Sequence, residues 1–142
     1  MAMSLTLPSL LISLSAAILL LLGSAHLFFT FHGNKFDPRD ASLKARLMEV
    51  SPVISRQTTL WRAGIGFHAS HSFGAMLFGL VYGYLALIHS AFLFESWFLL
   101  GLGLLTLAGY TVLARRYWFS VPLRGVSVAT VLYGLGLVTQ FA

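Results

Sequence analysis

Residues 58–83 read T-T-L-W-R-A-G-I-G-F-H-A-S-H-S-F-G-A-M-L-F-G-L-V-Y-G, and this stretch decides the fold. It enters an apolar run through Trp61 and Arg62, sets His68 and His71 one helical turn apart, and continues with small residues at helical spacing. At about 100° per residue, Gly64, His71, Ser72, Ala75, Gly79, Tyr82, Gly83 and Ala86 fall within about 60° of His68. Phe73, Leu77, Leu80, Val81, Tyr84, Leu85 and Ile88 take the opposite side. In lipid, that division sets a small, polar face against other helices and a bulky apolar face toward acyl chains.

The rest of the composition agrees. Only 9% of the residues are charged while 58% are hydrophobic; a soluble domain carries about 25% charged residues. The apolar runs are long enough for a bilayer, which needs about 20 residues as helix. An integral membrane protein follows, with the lipid bilayer as its first partner. The chain has no cysteine, which excludes disulfides and thiolate ligands. Its net charge of +5 lies in the loops between spans, so it speaks for topology and anionic head groups, and no nucleic-acid partner is expected.

Outward from the opening stretch, the sequence predicts a single all-α membrane domain: a four-helix bundle with spans at about 7–31, 63–89, 94–113 and 125–141. The first lacks the positive leader of a signal peptide and reads as a retained span. Residues 33–62 form the one long polar loop. Within it Asp40 reads as the N-cap of a short helix whose Leu43, Leu47 and Val50 share a side while Lys44 and Arg46 lie away, the pattern of an interfacial helix. A tight turn at Ser90 and Ala91 joins spans two and three, and Arg115-Arg116-Tyr117-Trp118 forms a basic, aromatic belt. All nine basic residues fall in loop 33–62 or before span four, so both loops are cytoplasmic and both termini extracytoplasmic.

Polar side chains recur in the cytoplasmic half of every span. His26 shares the more polar face of span one with Thr30, His68 and His71 follow on span two, Tyr110 and Thr106 on span three, and Ser127 and Thr130 on span four. Three readings stand for the histidines. They glue helices as neutral imidazoles bonded to hydroxyls. They ligate, His68 and His71 sharing one face and His26 opposite them adding a third nitrogen for zinc or iron, or one axial ligand of a haem. Or they perform acid/base chemistry on a lipid or quinone. Arg62 is either a snorkelling anchor or a partner for an anionic head group. The functions that follow are a ligand or cofactor pocket lined by His26, His71, His68, Arg62, Tyr110 and Thr30, a scaffold or accessory subunit of a membrane complex, or a small membrane enzyme. Gly79 and Gly83 form a small-x-x-x-small pair, which serves close approach within the chain or a homo-oligomer.

Residues 36–74 resemble a family of small, uncharacterised bacterial four-span membrane proteins. The likeness rests on Phe36-Asp37-Pro38-Arg39, Trp61-Arg62, Gly66-Phe67 and Ser70-His71, with Ala25-His26 upstream. The resemblance implies a four-helix fold in a bacterial cytoplasmic (inner) membrane and no particular chemistry. The family more often carries another polar residue at the position of His68, which implies His26 and His71 as the principal couple.

Overall fold

The computed structural model describes residues 5–142, and all regular structure among them is helical: α1 Leu7–Phe31, α2 Ala41–Glu49, α3 Leu60–Ile88, α4 Ser90–Glu95, α5 Trp97–Tyr117 and α6 Ser120–Phe141. The helices α1, α3, α5 and α6 are each long and apolar enough to cross a membrane. Even α5, the shortest at 21 residues, reaches about 32 Å at 1.5 Å per residue, against a hydrocarbon core of about 30 Å.

Several boundaries differ from the sequence reading, each for a local reason. Thr59 Oγ1 accepts the Arg62 N–H at 3.3 Å, so α3 starts at Leu60 and carries Trp61 and Arg62 in its first turn. Where a tight turn was expected, His89 leaves the helix at φ −128° and ψ 45°, and the chain re-enters a short helix that buries Leu93 completely. Ser96 then caps α5 by accepting the Leu99 N–H, which moves the start from 94 to Trp97. Arg115 and Arg116 are the last turn of α5 and not a belt beyond it, where the helix dipole favours positive charge. Pro122 does not delay α6, because the first N–H groups of a helix have no intrahelical partner to lose.

The chain divides into two compact units, one of Met1–Leu22 with Ala75–Ala142 and the other Gly23–Gly74. In the first, all four long helices contribute to one core. It comprises Ile12, Ala16 and Leu19 of α1, Ala75, Phe78, Tyr82 and Ala86 of α3, Leu93 of α4, Leu100 and Leu107 of α5, and Ala129 and Tyr133 of α6. Within α3 the buried side chains are Ser72, Ala75, Phe78, Tyr82 and Ala86, while Phe73, Leu77, Leu80, Val81, Tyr84 and Ile88 are exposed. Leu85 is the exception, partly buried against the core. Water would penalise so continuous an apolar exterior; acyl chains do not.

Gly79 marks a close helix approach in this unit. A Cβ there would lie 2.6 Å from Leu20 Cβ and 2.7 Å from the Ala16 carbonyl oxygen, so this part of the small-residue face is used against α1 of the same chain. Gly83 is looser, 3.7 Å from Ala16 Cβ. Polar groups bridge helices in the same unit. Ser15 donates to the Ala129 carbonyl at 2.7 Å, Tyr82 to that of Leu99 at 2.6 Å and Tyr133 to that of Leu100 at 3.0 Å. The Thr111 and Thr130 hydroxyls meet at 2.9 Å. No buried side-chain nitrogen or oxygen among the described residues lacks a hydrogen-bond partner, as an apolar surrounding demands.

Candidate functional site

The unit Gly23–Gly74 holds His26, His68 and His71, and its geometry begins at Gly33. This glycine has φ +84°, the left-handed conformation that ends helices and that only glycine adopts without strain. The chain reverses there, and the Asp37 N–H bonds back to the Asn34 carbonyl. That turn places Phe36 against the histidine rings. Asp40 then caps α2, its Oδ1 accepting the N–H of Ser42 at 2.8 Å, that of Leu43 at 3.4 Å and the Ser42 hydroxyl at 2.7 Å. The Ser42 hydroxyl and amide hold the Asp40 carboxyl below the usual carboxylate range.

Three contacts tie α2 to its neighbours. Lys44 Nζ donates to Asp37 Oδ2 at 2.7 Å and lies 5.0 Å from the centre of the Trp61 ring. The sequence reading turned Lys44 away, whereas it is the link between the turn, α2 and α3. The Leu60 N–H bonds to the Val50 carbonyl at 2.8 Å and joins the end of α2 to the start of α3. Between these elements opens a cleft of about 220 Å³, lined by Phe36, Pro38, Leu47, Leu60, Trp61, Gly64, Ile65 and His68. Its lining side chains are apolar or aromatic apart from the His68 imidazole and the indole N–H of Trp61.

That imidazole is held by another. His68 Nδ1 and His26 Nε2 are 3.2 Å apart, so one donates and the other accepts. Phe36 stacks on His68 with centroids 4.8 Å apart and planes at 18°, and it also touches His26 at 4.6 Å. The His71 ring meets His26 edge-on at 5.3 Å. His26, His68 and His71 are thus one cluster, and the imidazole that bonds His26 in this geometry is His68, the residue to which the resemblance gave less weight.

The remaining candidates separate. Thr30 is buried, but its hydroxyl donates to the His26 carbonyl one turn back at 2.8 Å, so it supports the helix that carries His26. Ser72 does the same for His68 at 2.9 Å. Arg62 is exposed in the first turn of α3 and is not among the residues lining the cleft. Tyr110 belongs to the other unit, with its ring 6.0 Å from that of Trp118. No group of three or more His, Cys, Asp or Glu among the described residues is placed to hold a metal ion. Gly64 lines the cleft with nothing within 4 Å of the position of a Cβ, so this wall faces open space.

Sequence reasoning overlooked Phe36 and Trp61 as walls. Phe36 did carry a signal, as a lone aromatic within the polar run G-N-K-F-D-P-R-D.

No protein-family model matches the chain, and no curated protein or solved structure matches it.

Proposed function

We propose that this chain is an integral membrane protein that binds a small ligand in the cleft between α2 and the start of α3, with the His68–His26 pair as its polar contact. Both termini are extracytoplasmic, α2 lies in the interface, and the cleft opens on the cytoplasmic side. The distribution of basic residues supports this orientation. The resemblance of residues 36–74 supports a bacterial inner membrane as its location.

One observation carries the reading: a cleft lined mainly by apolar and aromatic side chains admits an imidazole, beside the Trp61 indole, whose Nδ1 is already fixed by a partner. Convergent polar groups in an apolar cavity are the usual form of a ligand site. The volume lies below the range of about 300–1,000 Å³ common for drug-sized ligands, so the occupant is small or enters by one end. A metal on His26 Nε2 would first have to displace the bond to His68, which favours an organic ligand over direct ligation.

The test is the absorption spectrum and native mass of the protein purified from its own membranes. The proposal expects a colourless protein with a retained organic mass. A Soret band or stoichiometric metal would replace it with the ligation reading. A bare protein that gains no mass on incubation with membrane extract would leave the cluster as helix glue, the scaffold reading.

A further inference from the structure

Resting on the pocket reading above, we infer that the occupant of the cleft is a neutral, oxygen-bearing single ring of the quinone or phenol class.

Size comes first. An apolar cavity of about 150 Å³ accommodates benzene; the cleft of about 220 Å³ therefore has room for one substituted six-membered ring, with its open side left for a substituent. Shape is next. Trp61, Phe36 and Pro38 offer flat or rigid walls, against which a planar ring buries area with little loss of rotamer freedom.

Charge narrows the class further. Lys44, whose ammonium lies over the Trp61 wall, is engaged both by the Asp37 carboxylate and by that ring face. None of the residues lining the cleft is an arginine, a lysine or a carboxylate. A phosphate or carboxylate group entering it would be desolvated without a counter-charge, which is costly. A neutral oxygen is not.

Hydrogen bonding supplies the last step. His68 lines the cleft and its Nδ1 is committed to His26, which leaves Nε2 as the ring nitrogen available to a ligand there. If His26 donates to His68, Nε2 carries the proton and is a donor; if His68 donates, Nε2 is an acceptor. The linked tautomers let one residue serve a ligand oxygen of either kind. A quinone carbonyl accepts and the corresponding phenolic hydroxyl donates, and an imidazole pair of this kind suits both without moving an atom heavier than hydrogen. A fixed donor such as an indole or ammonium group would suit only one. The proposal concerns binding alone and invokes no redox step.

The test is quenching of Trp61 emission, in a Trp97→Phe, Trp118→Phe background, on titration of the protein in lipid nanodiscs. The probes are a benzoquinone with a short isoprenoid tail, the same ring without the tail, and an aliphatic alcohol of matched length. A chain without cysteine offers no thiol to alkylate. Saturable quenching by a ring probe is expected, abolished by Gly64→Leu, which fills the cleft from an open position. His68→Phe, which keeps the ring stacked on Phe36, should weaken binding about tenfold, the worth of one hydrogen bond. Preference for the tailed probe would name a lipid-soluble ligand, and equal binding of the tail-less ring a soluble one; either supports the class. Saturable binding of the alcohol but not of the rings would overturn the ring and leave the pocket standing. Ring binding indifferent to both substitutions would overturn the assignment to this cleft. No saturable binding of any probe overturns the inference, and with a bare native mass it removes the pocket as well.

Discussion

His26 Nε2 lies 3.2 Å from His68 Nδ1, so an imidazole near the end of α1 is hydrogen-bonded to one in the first half of α3. Polar bonds between membrane helices average about 0.6 kcal/mol and reach ~1.7 kcal/mol, while stranding one partner adds about 1–3 kcal/mol. In detergent unfolding, His26→Ala and His68→Ala should each destabilise, and the double variant should cost less than their sum. Strict additivity with the fold intact would show that the two rings do not interact.

Gly79 permits no side chain. Its Cβ would fall 2.6 Å from Leu20 Cβ and 2.7 Å from the Ala16 oxygen, and a backbone atom cannot yield as a flexible side chain does. Gly79→Ala should cost about 1–3 kcal/mol by overpacking. Gly66→Ala, at a helical position with nothing within 4 Å, should instead gain up to about 1 kcal/mol from helix propensity. The two melting temperatures, measured side by side, decide it.

Gly103 makes room for Tyr133. A Cβ at 103 would collide with the Tyr133 hydroxyl, which donates to the Leu100 carbonyl at 3.0 Å in a fully buried setting. Gly103→Ala should therefore displace the ring, and Tyr133→Phe should lose only the hydrogen bond, about 0.5–1.5 kcal/mol. The glycine substitution should be the more damaging of the two in a denaturant titration. The reverse order would mean that the ring tolerates the displacement.

Asp40 makes α2 sensitive to acid. Its carboxyl is held below its ordinary value of 3.8 by Ser42 and Leu43, so the ionised form is favoured by folding. The contribution is complete above that value and disappears as pH falls through the lower, folded one. Hydrogen exchange at the Ser42 and Leu43 amides should accelerate over that acidic window, and Asp40→Asn should flatten the dependence. A profile unchanged by Asp40→Asn would assign the acid sensitivity elsewhere.

Much of this was legible in the residues. A rotation of about 100° per residue separated the buried Ser72, Ala75, Tyr82 and Ala86 from the exposed Phe73, Leu77 and Leu80, because a long helix offers only one geometry. The Asp40 cap was legible for a similar reason: a short acceptor before a helix has few alternatives. The choice between His68 and His71 was not, since both share a face, both rings touch His26, and axial rotation decides which one is placed for the hydrogen bond, here His68. Phe36 and Lys44 escaped because their contacts depend on the turn at Gly33 and on side chains reaching between elements. α4 was missed because burial of Leu93, a tertiary effect, sustains it.

The central claim, that the cleft beside His68 is a binding site, is tested most directly by two glycines on the same helix. Gly64 lines the cleft and Gly66 does not, and neither has an atom within 4 Å of its Cβ position. Native mass spectrometry of the wild type, Gly64→Leu and Gly66→Leu, each purified from the same membranes, should show a bound small molecule on the first and third and none on the second. Retention by Gly64→Leu equal to that of Gly66→Leu would contradict the account.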